Sequence, residues 1–264
     1  MMLDIKNLCV EFTGNPHPNR VVHDFNLSMS HGEIVGIVGE SGSGKTVTSL
    51  AIAGLLGRST TRASGEILLE GTDLLGMNTK ELRRYQGSDI SMVFQEPMSS
   101  FNPLMKIGHQ VEESVRIHTR LSKSERRALT LSALSSVELP NPEQIYSLYP
   151  HQLSGGMRQR AMIAAAIISQ PKLLIADEPT TALDVTIQVQ IIALLKKINQ
   201  EKGVGILFIS HDLSVIRRLC TRVVVMQNGI IVEHGNTAEI FSSPSAQYTQ
   251  KLIASIPSRR KRNG

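Results

Sequence analysis

Residues 39–46 read GESGSGKT, a glycine-rich run that closes on a lysine and a threonine with the spacing G-x-x-x-x-G-K-[ST]. That combination suits the binding of phosphate. Glycines let successive backbone N–H groups turn inward without Cβ clashes, forming an anion nest where a helix begins. Gly39, Glu40, Ser41, Gly42, Ser43 and Gly44 would supply the cradle. Lys45 would reach the β- and γ-phosphates of a nucleotide, and the Thr46 hydroxyl would ligate Mg²⁺. A strand–helix turn that binds nothing would not require the lysine. An apolar strand before the run and a helical pattern after it are the context the motif needs.

Two further stretches carry chemistry. Residues 173–179, LLIADEP, form an apolar strand ending in two adjacent acids, at the carboxyl end where ligands of α/β sheets bind. Asp177 fits a Mg²⁺-associated carboxylate, and Glu178, on the other side of the strand axis, fits a general base that polarises an attacking water. Alone, such a pair could simply cap a turn; a phosphate loop in the same βα fold favours the catalytic reading. Residues 153–157, LSGGM, open a long helix, with Ser154 as N-cap and with Gly155 and Gly156 leaving the first-turn N–H groups uncovered. An ordinary capped helix explains that spacing. So does a second phosphate-ready terminus, which would serve either a second site or a nucleotide held by another chain.

The elements that must position these groups alternate along the chain. Residues 3–12 and 21–30 read as strands separated by the Pro- and Gly-broken loop TGNPHPNR. Residues 34–38 form a short apolar strand running into the glycine-rich loop, followed by helix to about Leu56 and a strand at SGEILLEG. From about Pro97 to Pro150 strand signals vanish, and charged helical stretches at 106–119 and 122–137 read as a helical insertion. The helix opened by LSGGM is expected to run to about Ser169. Alternation then resumes: strands at 172–176, 204–210 and 222–226 with helices to Gln200 and Cys220 between them. Short apolar strands separated by helices imply a largely parallel sheet covered on both faces, with an antiparallel layer formed by the opening strands.

Composition agrees with one large α/β domain. The chain has 264 residues, 41% of them apolar, enough to bury a full core. No apolar run approaches the roughly 20 residues that span a bilayer, and the N-terminus shows no secretory signal. Cys9 and Cys220 stand in no metal-ligand spacing and read as reduced, partly buried thiols of a cytosolic protein. Four basic residues at 259–262 account for most of the net charge of +5, so the body is nearly neutral and nucleic acid is not an expected partner. The basic tail, residues 256–264, reads as a solvated end, with contact to an anionic membrane surface as the alternative.

Taken in order, these motifs resemble the ATP-binding cassette (ABC) transporter family. After the phosphate loop comes VFQEP, with Gln95 in the place of the Q-loop glutamine; then LSGGM as the signature, LLIADEP as Walker B, TALD with Asp184 as the D-loop, and ISHDL with His211 as the switch histidine. Met157 stands where the signature most often carries Gln. The resemblance implies an α/β fold: a P-loop NTPase (RecA-like) core, residues 1–96 and 151–255, with an antiparallel β subdomain. A helical subdomain of about residues 97–169 would include the signature helix. It implies an ATPase in which two chains pack head to tail, each ATP lying between one chain's phosphate loop and the other's signature. Phe12 would stack on adenine, Gln95 would sense Mg²⁺ and the water, His211 would contact the γ-phosphate, and Asp184 would join the nucleotide-binding set.

YPHQLSGG and SSFNPLMKIG are similar to the peptide/nickel branch of importers, whose two ATPase subunits differ; this chain looks like the first kind. The resemblance implies a second ABC ATPase, two membrane permeases, indirectly an extracytoplasmic binding protein, and a place at the cytoplasmic face of the membrane. An exporter ATPase would usually carry a charged segment before the signature, and soluble ABC ATPases two cassettes or long insertions.

Overall fold

The computed structural model describes residues 1–13, 19–95, 100–181 and 183–256. The reading of the 14–18 loop, the end of VFQEP, Ala182 of TALD and the basic tail beyond Ile256 falls outside them.

Strands β3 (Ile34–Val38), β7 (Leu173–Asp177) and β8 (Gly205–Ser210) are buried at every residue, as expected for short apolar runs covered on both faces. With β6 (Ile90–Val93), β9 (Arg222–Gln227) and β10 (Ile230–Asn236) they form one sheet in the order β10-β9-β3-β8-β7-β6. All neighbours are parallel except the β9–β10 pair. A second, antiparallel sheet contains β1 (Leu3–Phe12), β2 (Asn19–Met29), β4 (Thr61–Leu69) and β5 (Thr72–Asp73), in the order β2-β1-β4-β5.

The period-2 alternation of the central strands divides the core in two. Ile34 and Val38, Leu174 and Ala176, Ile206 and Phe208 face one apolar cluster, shared with helices α7 (Gly155–Ile167), α8 (Val185–Lys202) and α9 (Leu213–Leu219). Val35 and Ile37, Leu173 and Ile175, Leu207 and Ile209 face the other, shared with α1 (Lys45–Ile52) and the inner face of the antiparallel sheet through Phe25, Ile67 and Leu69. Helix α1 thus lies between the two sheets. A short α2 (Thr79–Leu82) closes a capping box through Asn78 and Glu81.

Between β6 and β7 the described residues contain no strand. They form α3 (Ile107–Val111), α4 (Glu113–His118), α5 (Lys123–Ser136), α6 (Pro142–Ser147) and α7. The single helix expected over 106–119 is two. At Glu112 the backbone turns to ψ −4° while its carboxylate, buried, takes a hydrogen bond from Tyr146 Oη at 3.4 Å. Helix α1 ends before Leu56 because Gly54, at φ +67°, stops it: the Leu55 N–H returns to the Leu50 carbonyl and the Gly54 N–H to that of Ala51. After β10 come α10 (Thr237–Ser242) and α11 (Gln247–Ala254). Neither helix, nor β6 or β10, stood out in the sequence.

Candidate nucleotide site

Parallel pairing brings the chemistry together. Val38 pairs with Ser210, Ile209 with Asp177, and Ala176 with Val93, so the carboxyl ends of β3, β8, β7 and β6 form one edge. The segments leaving that edge carry the phosphate loop, His211, Asp177–Glu178 and Gln95. Ligands of α/β sheets bind at such an edge. A cleft of about 830 Å³ opens there, lined by Gly39, Glu40, Ser41, Gly42, Gly44, Lys45, Thr46, Gln95, Glu178 and His211, with Thr181, Val21, Val47, Leu252 and Ser255 completing it.

The loop is shaped for close approach. Gly44, the N-cap of α1, has φ +98°, and a Cβ there would stand 2.9 Å from the Val21 carbonyl oxygen. Lys45 is 5% exposed; its Nζ donates to the carbonyls of Gly39 and Glu40, both at 2.8 Å. Burial holds its pKa below the ordinary lysine value, opposed by the nearby charges of Glu178, Asp177 and Glu40.

The two acids have different surroundings. Asp177 is buried, with Thr46 Oγ1 at 3.4 Å from one carboxylate oxygen. Ser49 Oγ lies 3.3 Å from the other and 2.8 Å from the Thr46 carbonyl, one proton serving both. Burial raises the Asp177 pKa against the pull of those two hydroxyls. Thr46 and Asp177 form a pair of hard oxygen donors, the kind Mg²⁺ takes alongside waters and substrate phosphates.

Glu178 lies one residue past β7, at φ +46°, a left-handed conformation that is costly for a non-glycine residue, with its N–H held by the Ile209 carbonyl at 2.9 Å. Three donors converge on its Oε2: Thr181 Oγ1 at 2.9 Å, His211 Nδ1 at 3.1 Å and Gln95 Nε2 at 3.2 Å. Among the described residues no donor reaches Oε1, which leaves that oxygen to accept a proton.

Phe12, at the end of β1 and half-buried, does not line the cleft. Asp184 caps α8, its Oδ1 accepting the Ile187 N–H at 2.9 Å. Ser154 accepts the Met157 N–H at 3.3 Å and is exposed, as is Gly155; neither they nor Gly156 line the cleft. Sequence reading did not single out Thr181 or Ser49, whose hydroxyls reach Glu178 and Asp177. Ser49 was findable, since it lies four residues after Lys45 on α1. Nothing local marks Leu252 or Ser255.

A profile of the ABC transporter family matches residues 22–181. The chain belongs to that family. A probable peptide ABC transporter ATP-binding protein of Sinorhizobium fredii is 44% identical over 99% of this chain and 78% of its own length. The dipeptide transport ATP-binding protein DppD of Haemophilus influenzae is 45% identical over 97% of this chain and 78% of its own length. Among solved structures, the dimeric ATP-binding cassette MJ0796, in a post-hydrolysis state bound to ADP and Pi, is 30% identical, covers 89% of this chain and 99% of that one, and has a TM-score of 0.79. The chain is therefore an ATP-binding, ATP-hydrolysing cassette with the α/β fold of that family. Among its described residues no helix is long and apolar enough to cross a membrane.

Proposed function

We propose that this cassette is one of two ATPases that drive a peptide importer at the cytoplasmic face of a membrane. The peptide cargo is supported by relatives of about 45% identity over nearly the whole chain that are peptide and dipeptide transport proteins. Permease subunits would dock in the groove beside Gln95, where Phe94, Phe101, Gln110 and Met162 line a hollow of about 290 Å³ between the β6 end and the helices.

One observation carries the catalytic reading: Gln95, Thr181 and His211 meet on a single oxygen of Glu178, inside the cleft that the phosphate loop walls. ATP would lie with its phosphates on the 39–46 loop and Lys45. Thr46 and Asp177 would hold Mg²⁺, which neutralises developing charge on the phosphate oxygens. Gln95 would sit beside both the ion and the attacking water. Glu178 would take the proton of that water through Oε1, and His211 would orient the carboxylate and meet the γ-phosphate. Phe12 would flank adenine. The signature Ser154, Gly155 and Gly156, with Asp184, would face the nucleotide of the second, related ATPase, as the dimeric state of MJ0796 supports. A binding protein outside the membrane would deliver the cargo.

Glu178→Gln tests this reading. The variant should lose at least about 100-fold in turnover and accumulate as an ATP-bound dimer on size-exclusion with light scattering. Turnover near the unmodified rate would sink Glu178 as the base. Uptake of labelled dipeptide by cells lacking and then regaining the chain tests the cargo.

A further inference from the structure

The peptide bond between Gly39 and Glu40 is held from both ends. Its carbonyl oxygen accepts from Lys45 Nζ at 2.8 Å, and its N–H donates to the Tyr248 hydroxyl at 3.0 Å. Tyr248 lies on α11, and Leu252, one turn further on, and Ser255, the C-cap of that helix, line the nucleotide cleft. The start of α11 is fixed in turn by a buried carboxylate of β10. Glu233 Oε1 takes the Ser245 N–H and hydroxyl, each at 2.7 Å, and Oε2 takes the Ala246 N–H at 3.1 Å. Tyr248, Leu252, Ile253 and Ile256 pack on the helical side of the core. Burial pushes the Tyr248 phenol up, so it stays a neutral hydroxyl able to accept.

The Ser43 N–H stays within the loop, on the Glu40 carbonyl at 3.2 Å, whereas the N–H of Glu40 is turned out to α11. Lys45, as it stands, is spent on the carbonyls of Gly39 and Glu40. A phosphate drawing its ammonium inward would remove the donor from the Gly39 carbonyl, and the peptide would then keep only its outer anchor. We propose that α11 is a wall of the nucleotide site and that Tyr248 is a positioning residue holding the first peptide of the phosphate loop while Lys45 serves the phosphates. This rests on the reading of residues 39–46 as the phosphate site. It makes the C-terminal helix, which carries none of the family motifs, part of nucleotide affinity.

Tyr248→Phe in the full chain keeps the ring and removes the acceptor. Its Kd for ATP, measured by competition with a fluorescent nucleotide, should rise about fivefold, the size of one lost neutral hydrogen bond. KM for ATP should rise in step, with a much smaller change in kcat, and the melting temperature without nucleotide should fall by only a few degrees, because the same bond is made there while Lys45 still holds the Gly39 carbonyl. A Kd within twofold of the unmodified chain overturns the proposal whatever happens to the melting temperature, and so does a fall in kcat with KM unmoved. Lys45→Ala is the control for the underlying site. If it loses ATP binding while Tyr248→Phe does not, only the role of Tyr248 fails; if it binds ATP normally, the phosphate-site reading itself fails.

Discussion

Two glycine-rich helix starts in this chain have similar local chemistry and opposite surroundings. The one before α1 is backed by its own chain: Gly44 against the Val21 carbonyl, Lys45 folded over the loop, Asp177 against Thr46, Glu178 in the cleft wall, and Tyr248 behind Glu40. The one before α7 is packed on its inner side, where Gly156 lies against Ile187, and open on its outer side. Ser154 and Gly155 are exposed, and a Cβ added to Gly155 would meet only Leu183 Cδ2, at 4.0 Å. A helix N-terminus supplies amide donors and a partial positive charge in both cases. Whether that becomes a site depends on what the fold sets opposite, and only the first finds its lysine and carboxylates within its own chain. In our proposal the second finds its nucleotide on another chain.

That contrast can be broken most directly at Gly155. Gly155→Asp has room within the chain, and an acid in the first helical turn is favourable locally, so the fold should stand. ATP turnover should fall about 100-fold if a charge there faces another chain's phosphates, while the Kd of the variant for ATP stays unchanged because its own cleft is intact. A weakened Kd would show that the signature turn serves its own nucleotide, and the comparison would collapse.

Asp177 sharpens the other half of the contrast, the enclosed site. Its pKa is raised by burial, so the ionised carboxylate costs stability above its folded pKa, and that cost fades as the pH falls through the folded value towards the unfolded one. Asp177→Asn should therefore raise the melting temperature of the nucleotide-free protein by roughly a few degrees at neutral pH, with the gain shrinking in acid, and should abolish Mg²⁺-dependent turnover. A lower melting temperature at neutral pH would mean that the attraction to Lys45 outweighs burial. The smallest effect is expected at Phe12, which stands outside the cleft lining: Phe12→Ala should weaken ATP binding by about threefold to tenfold, the worth of one aromatic stacking contact. An unchanged Kd would remove Phe12 from the site.

Much of this was legible in the sequence because the motifs are local. A glycine spacing that closes on Gly44, Lys45 and Thr46 specifies its chemistry within a few residues, whereas the strand ending in Asp177 and Glu178 and the serine before two glycines gain theirs from that loop and from the order of the motifs. Apolar runs such as Ile34–Val38 and Leu173–Asp177 likewise declared a sheet buried on both faces. What escaped was set by neighbours distant along the chain. The buried carboxylate of Glu112, where the helix divides, meets the hydroxyl of Tyr146, and the strand character of Ile90–Val93 is stabilised by pairing with β7.

The sequence by itself determined which groups are candidates for binding and hydrolysing ATP, because spacing along a loop or helix decides which amides and side chains share a face. Only the tertiary structure decided which of them meet. Gln95, Thr181 and His211 reach one oxygen of Glu178 because β6, β7 and β8 are adjacent and parallel, so that their carboxyl ends share an edge. Tyr248 reaches Glu40 across 208 residues because Glu233 and the apolar face of α11 dock that helix against the core. Burial and strand order create such contacts, and neither leaves a periodic mark in the residues that make them.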